Sequence, residues 1–160
     1  MNKEKIKIIV AADHAGFELK NEIKKFLEDS GYSVLDVGAH ELVPEDDYPV
    51  YISSATLKVA EDLDNNTKAI VFGGSGQGEA IVANRYPGVR ATVWYGDPAS
   101  ASHFEIIKLS REHNDANVLS IGARFVTLEE TKKAVALWLE TPFSKEEKHQ
   151  RRIEQIDSME

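Results

Sequence analysis

Ala69-Ile70-Val71-Phe72-Gly73-Gly74-Ser75-Gly76-Gln77-Gly78-Glu79 runs from an unbroken apolar tetrad into a glycine loop and then into helix-compatible sequence. Four apolar residues without polar alternation read as a strand covered on both faces, and the glycines read as the turn that carries its carboxyl end into a helix. Glycines let consecutive N–H groups converge on a ligand with no Cβ in the way, and the helix start adds partial positive charge. A phosphate or an oxyanion suits such a cradle, and Glu79 stands beside it as a carboxylate able to accept a proton. The plain alternative is a tight strand-helix connection, with Glu79 placed favourably against the helix dipole. That dipole favours the ionised carboxylate and weakens it as a base, so catalysis by Glu79 requires burial or a neighbouring anion to offset it.

The same strand-then-helix unit recurs on either side. Residues 5–12 read as a strand, followed by Leu19, Ile23, Phe26 and Leu27 at helical spacing and a stop at Gly31. Residues 32–37 form a second strand, and Ile52, Ala55, Val59 and Leu63 mark a helix after Pro49. Residues 88–94 form a fourth strand, after which Asp97-Pro98 reads as an N-cap with proline in the first helical position, opening a helix to about Arg111. Residues 117–121 form a short fifth strand closed by Gly122, and Thr127-Leu128-Glu129-Glu130 is a capping box opening a helix with Leu128, Val135, Trp138 and Leu139 inward. Strands alternating with helices predict an α/β doubly wound fold with a parallel sheet. Ligands of such sheets bind at the carboxyl ends of the strands, where Asp13-His14, the glycine loop and the segment after Trp94 fall.

A chain of 160 residues, 42% hydrophobic, fits a single domain over 1–160 with a core of ordinary size. A net charge of −8 argues against nucleic acid or an anionic membrane as partner, because both need a broad basic face. No stretch is apolar enough to span a bilayer and no signal-peptide core opens the chain, so a cytoplasmic location is expected. The absence of cysteine excludes disulfides, thiolate metal sites and thiol nucleophiles.

Two further polar groups are placed to act. Asp13-His14-Ala15-Gly16 ends the first strand, where the pair either reaches a ligand or consists of a helix N-cap beside an incidental histidine. Arg111-Glu112-His113-Asn114-Asp115 is a dense polar run between a helix and a strand, with His113 able to exchange a proton near neutrality; its alternative is a solvated loop. There is no His-Glu-x-x-His spacing and no Gly-x-Ser-x-Gly elbow, and the glycine loop lacks the dinucleotide and P-loop spacings. A metal-free, cysteine-free pocket with a carboxylate, a histidine and a few phosphate-binding cations suits proton transfer on a sugar phosphate. The charged tail 144–160 carries Lys148, His149, Arg151 and Arg152, with Lys148 and Arg152 four apart on one helical face.

Read in order, Asp13-His14-Ala15-Gly16, Asp47-Tyr48-Pro49, Gly74-Ser75-Gly76-Gln77-Gly78, Ala83-Asn84-Arg85, Pro87-Gly88-Val89-Arg90, residues 111–119, Gly122-Ala123-Arg124, Thr141-Pro142-Phe143 and His149-Gln150-Arg151-Arg152 resemble the ribose-5-phosphate isomerase B family, which includes the galactose-6-phosphate isomerase subunits. The resemblance covers nearly the whole chain. It implies a three-layer α/β/α sandwich with a five-stranded parallel sheet, a homodimer or homotetramer with sites across the subunit interface, and a C-terminal helix over about 144–158 packing on a partner subunit. It also implies aldose-ketose isomerisation through a cis-enediolate, without metal or cofactor. Asp13 and His14 match the substrate-binding pair, with Tyr48 in the same set. His113 matches the residue that opens the furanose ring, with Asn114 beside it. Arg124 and Arg152 match cations that hold the phosphate, and the phosphate is expected among His14, Arg124, Lys148 and Arg152.

Three departures stand out. Many members carry a cysteine base where this chain has Gly73, and a subset resembles this chain in having Gly-Gly-Ser-Gly-x-Gly-Glu with the glutamate as base, so that role passes to Glu79. Ser75 and the N–H groups of Gly74, Gly76, Gln77 and Gly78 then face the enediolate oxygen. Lys148 stands where the family usually has arginine, which keeps the charge and loses the bidentate fork. Residues 100–108 exceed the family pattern by about two helical turns, which predicts an extended helix near the site or the interface. The expected reaction is ribose 5-phosphate to ribulose 5-phosphate. The alternatives are isomerisation of a hexose 6-phosphate or tetrose phosphate, or a non-catalytic module that binds a sugar phosphate.

Overall fold

A computed structural model describes residues 6–96 and 102–159. Strands β1 (Lys7–Ala12), β2 (Ser33–Asp36), β3 (Thr67–Gly73), β4 (Ala91–Trp94) and β5 (Val118–Gly122) form one sheet in the order β2-β1-β3-β5-β4. Every pairing is parallel. Helices α1 (Phe17–Asp29), α2 (Tyr48–Ala60), α3 (Gln77–Ala83), α4 (His103–Glu112) and α5 (Leu128–Glu140) alternate with the strands, and α6 (Glu147–Asp157) closes the chain.

Alternate residues of each strand feed two separate cores, which is why the strands read as continuous apolar runs. Ile8, Val10, Ile70, Phe72, Leu119 and Ile121 face α1, α4 and α5, meeting Ile23, Leu27, Ile107, Val135 and Trp138. Ile9, Ala11, Ala69, Val71 and Val118 face the other way, against Ile52, Ala55 and Val59 of α2 and Ala83 of α3. The chain leaves β1 toward β2 on one side and leaves β3 toward β4 on the other. The carboxyl ends of these adjacent strands therefore diverge and open a crevice between Asp13 and the glycine loop.

An internal ion pair ties α1 to the edge strand. Lys20 has no exposed surface, and its ammonium donates to both carboxylate oxygens of Asp36 at 2.8 Å and to the carbonyl of Ala39 at 2.6 Å. This lysine occupies a buried helix position that an apolar residue ordinarily fills.

The capping box at Thr127 and Glu130 is present, with both reciprocal hydrogen bonds made. Two local expectations are corrected, and a third, the N-cap at Asp97 with Pro98, lies outside the described residues. The helix over residues 103–112 opens at His103, whose carbonyl accepts from Trp94 Nε1 at 3.2 Å. α4 is accordingly a ten-residue helix. Leu63 is 91% exposed, because α2 ends at Ala60 and Asp62 turns the chain by accepting the N–H groups of Asp64 and Thr67. The fourth strand begins at Ala91 and not at Gly88, which turns with φ +74° and lends its carbonyl to the side chains of Arg90 and Asn117.

Candidate active site

A hollow of about 410 Å³ lies over the crevice. It is lined by Asp13, His14 and Ala15 after β1, Tyr48 at the start of α2, Gly74, Ser75, Gly78 and Glu79 after β3, and Arg124 and Phe125 after β5. Gln77 faces an adjoining hollow of about 320 Å³ with Tyr95 and Phe125, and Ser75 borders both. The glycine loop is fixed from beneath. Ser120 Oγ donates to the Gly76 carbonyl at 2.6 Å, and Arg124 N donates to the Gly74 carbonyl at 3.2 Å. Gly76 takes φ +76° as the residue that opens α3, and a side chain there would press on Gly122 and Ser120. Gly78 is required for a different reason: a Cβ there would meet the Tyr48 hydroxyl at 2.6 Å.

Glu79 is only 4% exposed. Burial is the main reason that its carboxyl titrates above the ordinary range, and the charge of Asp13 adds to it. The condition that the sequence placed on Glu79 as a base is met: desolvation outweighs the helix start. Its carboxylate lies over Gly73, in the space that a Cβ at position 73 would take. Gly73→Ala is therefore expected to push the carboxylate aside. Because the displaced group is the end of a flexible side chain, the stability cost is about 1 kcal/mol, the scale of one strained rotamer. Turnover should fall about tenfold or more through the misplaced base, as thermal denaturation and initial rates measured side by side would show.

Asp13 does not cap α1. Its carboxylate accepts the N–H groups of Ala15 and Gly16 at 3.0 and 3.3 Å, in a turn of its own that leads into a helix opened by Gly16. This turn sets His14 facing Asp46, a residue that sequence reasoning passed over. Asp46 Oδ1 accepts the backbone N–H of His14 and meets its Nδ1, both at 2.8 Å. Burial opposes ionisation of Asp46, but the hydrogen bonds from His14 and Tyr51 outweigh it and hold the carboxyl below its usual range. Asp13, His14 and Asp46 are the group of three ligand-bearing side chains, among the described residues, whose donor atoms fall within 4.8 Å of one another. The histidine nitrogen directed at Asp46 is already committed to it, so the arrangement reads first as a hydrogen-bonded pair.

The remaining predicted residues gather elsewhere. His113 and Asn114 lie between α4 and β5, at the amino ends of the strands and across the sheet from the hollow. The run 111–115 is not a solvated loop. Arg111, 6% exposed, donates to Asp115 Oδ1 at 2.7 Å and to the Ala116 carbonyl at 2.6 Å. Arg90 donates to the carbonyls of Asn114 and Asp115 at 3.0 and 3.2 Å. His113 stacks on His149 of α6, with ring centroids 4.2 Å apart and planes 13° from parallel. Burial first, then the nearness of His113, holds the His149 imidazole below its ordinary value, so it stays neutral in the stack. Lys148 pairs with Glu146 at 2.9 Å on the exposed side of α6, where Arg152 is exposed as well. One chain thus joins Asp13, His14, Tyr48, Gly74, Ser75, Gly78, Glu79 and Arg124, and holds His113, Asn114, Lys148 and Arg152 apart from them.

The family model described as Ribose/Galactose Isomerase matches residues 8–156. Ribose-5-phosphate isomerase B of Mycolicibacterium paratuberculosis is 42% identical over 149 residues, covering 93% of this chain and 88% of the relative. That of Escherichia coli is 40% identical over 155 residues, covering 96% of both. Among solved structures, ribose-5-phosphate isomerase B from Mycoplasma genitalium with bound ribulose-5-phosphate superposes with a TM-score of 0.88 at 32% identity, covering 96% of this chain and 95% of that one.

Proposed function

The chain belongs to the ribose/galactose isomerase family, and from that premise we propose that it interconverts ribose 5-phosphate and ribulose 5-phosphate with Glu79 as the proton carrier. The observation that carries the assignment is the buried Glu79 carboxylate standing over Gly73, in one hollow with Asp13, His14 and Arg124. Glu79 removes the proton from C2 of the open aldose, the C–H electrons form the C1–C2 enediolate with its charge on O1, the hydroxyl proton passes from O2 to O1, and the same carboxyl returns its proton to C1 as the C2–O2 carbonyl forms. Ser75 and the loop N–H groups from Gly74 to Gly78 face the enediolate oxygens, where charge grows in the transition state. Arg124 and His14 receive the phosphate.

His113 opens the furanose by taking the proton from the C1 hydroxyl as the C1–ring oxygen bond breaks and supplying one to the ring oxygen. Because it lies across the sheet from Glu79 in its own chain, the proposal assigns it, with Asn114, Lys148 and Arg152, to the site of a second copy. The active unit is accordingly a homodimer or a dimer of dimers, working in the cytoplasm, with α6 presenting its exposed cations to the partner. Among the described residues no helix is long and apolar enough to cross a membrane.

Two experiments test this reading. Ketose formation from ribose 5-phosphate is expected to exceed that from hexose 6-phosphates and tetrose phosphates; absence of turnover on the whole panel would overturn it in favour of a binding module. Glu79→Gln and His113→Ala, each expected to be inactive, are refolded together. A two-fold assembly with shared sites restores one intact site in each mixed dimer, about a quarter of the wild-type sites overall. No recovery in demonstrably mixed dimers places both groups in one chain's site.

A further inference from the structure

We propose that Asp46 is a positioning residue for the substrate-binding histidine: it fixes the ring orientation and the tautomer of His14, so that Nε2 is the nitrogen offered to the ligand. Asp46 is held ionised and has no proton to donate. At 2.8 Å from it, His14 Nδ1 must therefore be the donor. The backbone N–H of His14 ends on the same oxygen at 2.8 Å, so main chain and ring are gripped together. The grip joins residues 32 apart in sequence, bringing the loop before α2 onto the loop after β1. The Asp46 side chain is 7% exposed, and the His14 ring keeps 32% of its surface open where it borders the hollow.

The consequence lies in the ring's other edge. With Nδ1–H committed to a carboxylate, a neutral ring accepts at Nε2, and any second proton enters at Nε2 and is directed at the ligand. An anionic phosphate receives that proton's hydrogen bond while Asp46 balances the charge on the far side. The other ionisable groups around His14 are Asp13, whose Oδ2 lies 3.9 Å from Nδ1, Tyr48 and Tyr51 on α2, Glu79 on α3 and Arg124 after β5. Asp46 makes direct hydrogen bonds to both the backbone N–H and the ring of His14. The assignment rests on the isomerase reading above and deepens it by separating a residue that touches the ligand from one that acts through it.

The test combines 15N spectra of full-length protein labelled at histidine, with His14 assigned by comparison with His14→Gln, and steady-state rates on ribose 5-phosphate. In the wild type at a pH where the ring is neutral, His14 is expected to show the Nδ1–H tautomer. Asp46→Ala should shift it toward Nε2–H, with KM rising about tenfold and kcat changing less than about threefold, as expected for loss of one hydrogen bond to a charged group that serves binding. Asp46→Asn, which keeps an acceptor, should restore the tautomer. If Asp46→Ala does not fold, Asp46→Leu, of similar size and without an acceptor, carries the same two readouts. An Nδ1–H tautomer that survives both substitutions, or a loss confined to kcat, overturns the assignment. The tautomer is read without substrate, so a wild type that fails to turn over ribose 5-phosphate overturns the function and leaves the positioning result standing.

Discussion

Glu79→Gln is expected to lower kcat by about 10²- to 10⁴-fold, the range in which a positioned general base contributes, while the affinity for ribose 5-phosphate stays near that of the wild type. Glutamine keeps the shape above Gly73 and removes the proton acceptor, so binding and chemistry separate; equilibrium binding by calorimetry and stopped-time ketose assays read the two arms. The acid limb of the wild-type rate profile should lie above the ordinary carboxylate range, because burial, and after it the charge of Asp13, raises the Glu79 carboxyl. The working form is the carboxylate, so activity falls as pH drops through that raised value. Stability moves the opposite way. A carboxyl that binds its proton more tightly when folded favours the folded state below its unfolded pKa, and that advantage is lost as pH rises through the folded one. At neutral pH the wild type therefore carries an ionised group where the fold prefers a neutral one, and Glu79→Gln should raise the melting temperature while it stops the reaction. A variant that melts no higher and turns over at a tenth of the wild-type rate would remove Glu79 from the mechanism.

Asp36→Ala is expected to be the most destabilising of the changes considered. It leaves the Lys20 ammonium, which has no exposed surface, with a single carbonyl acceptor and no counter-charge. Breaking a buried pair in this way costs about 3–5 kcal/mol, which for a chain of this length lowers Tm by roughly 6–20 °C. Lys24 and His40 also approach Asp36, at 3.6 and 4.0 Å, but both keep solvent access and lose little. Burial opposes the charge on Asp36, yet the hydrogen bonds from Lys20 and the Gly38 N–H, with the charges of Lys20 and Lys24, leave its carboxyl below the usual value. A depressed carboxyl supplies stability above its unfolded pKa and loses it as pH falls through the folded pKa, so the wild type should soften in acid in a way that Asp36→Ala does not. Replacing both partners, as Lys20→Met with Asp36→Leu, should recover much of the loss, because an apolar pair of similar volume needs no compensating charge.

Most of the sheet was legible because its signal is local. Runs such as Ile8-Ile9-Val10-Ala11 and Ala69-Ile70-Val71-Phe72 feed two cores at once, and a strand buried on both faces leaves an unbroken apolar stretch in the sequence. Helix limits were less legible. Leu63 keeps the helical spacing of Ile52, Ala55 and Val59, and only the turn built by Asp62 takes it off the helix. The site residues on the glycine loop were readable because glycines at 73, 76 and 78 are each demanded by a neighbour or by a left-handed backbone. Asp46 was not readable. It sits in the acidic run Glu45-Asp46-Asp47, and nothing local says which of the three turns inward; the partner that selects it lies 32 residues away. The polar run at 111–115 left two readings open, and the solvated loop is the one that fails, since Arg111 is consumed by carbonyls and Asp115 inside the fold.

The overlap between the Glu79 carboxylate and the missing Cβ of residue 73 also constrains how such a site can change by descent. A side chain on the strand at 73 and the Glu79 carboxylate on the next helix would approach the same space from two directions, so one keeps its place only where the other gives way. Substitutions at 73 and 79 should be strongly non-additive, each harmful in the background suited to the other. The residue at 73 and the seat of the carboxylate at 79 are in this sense one choice and not two.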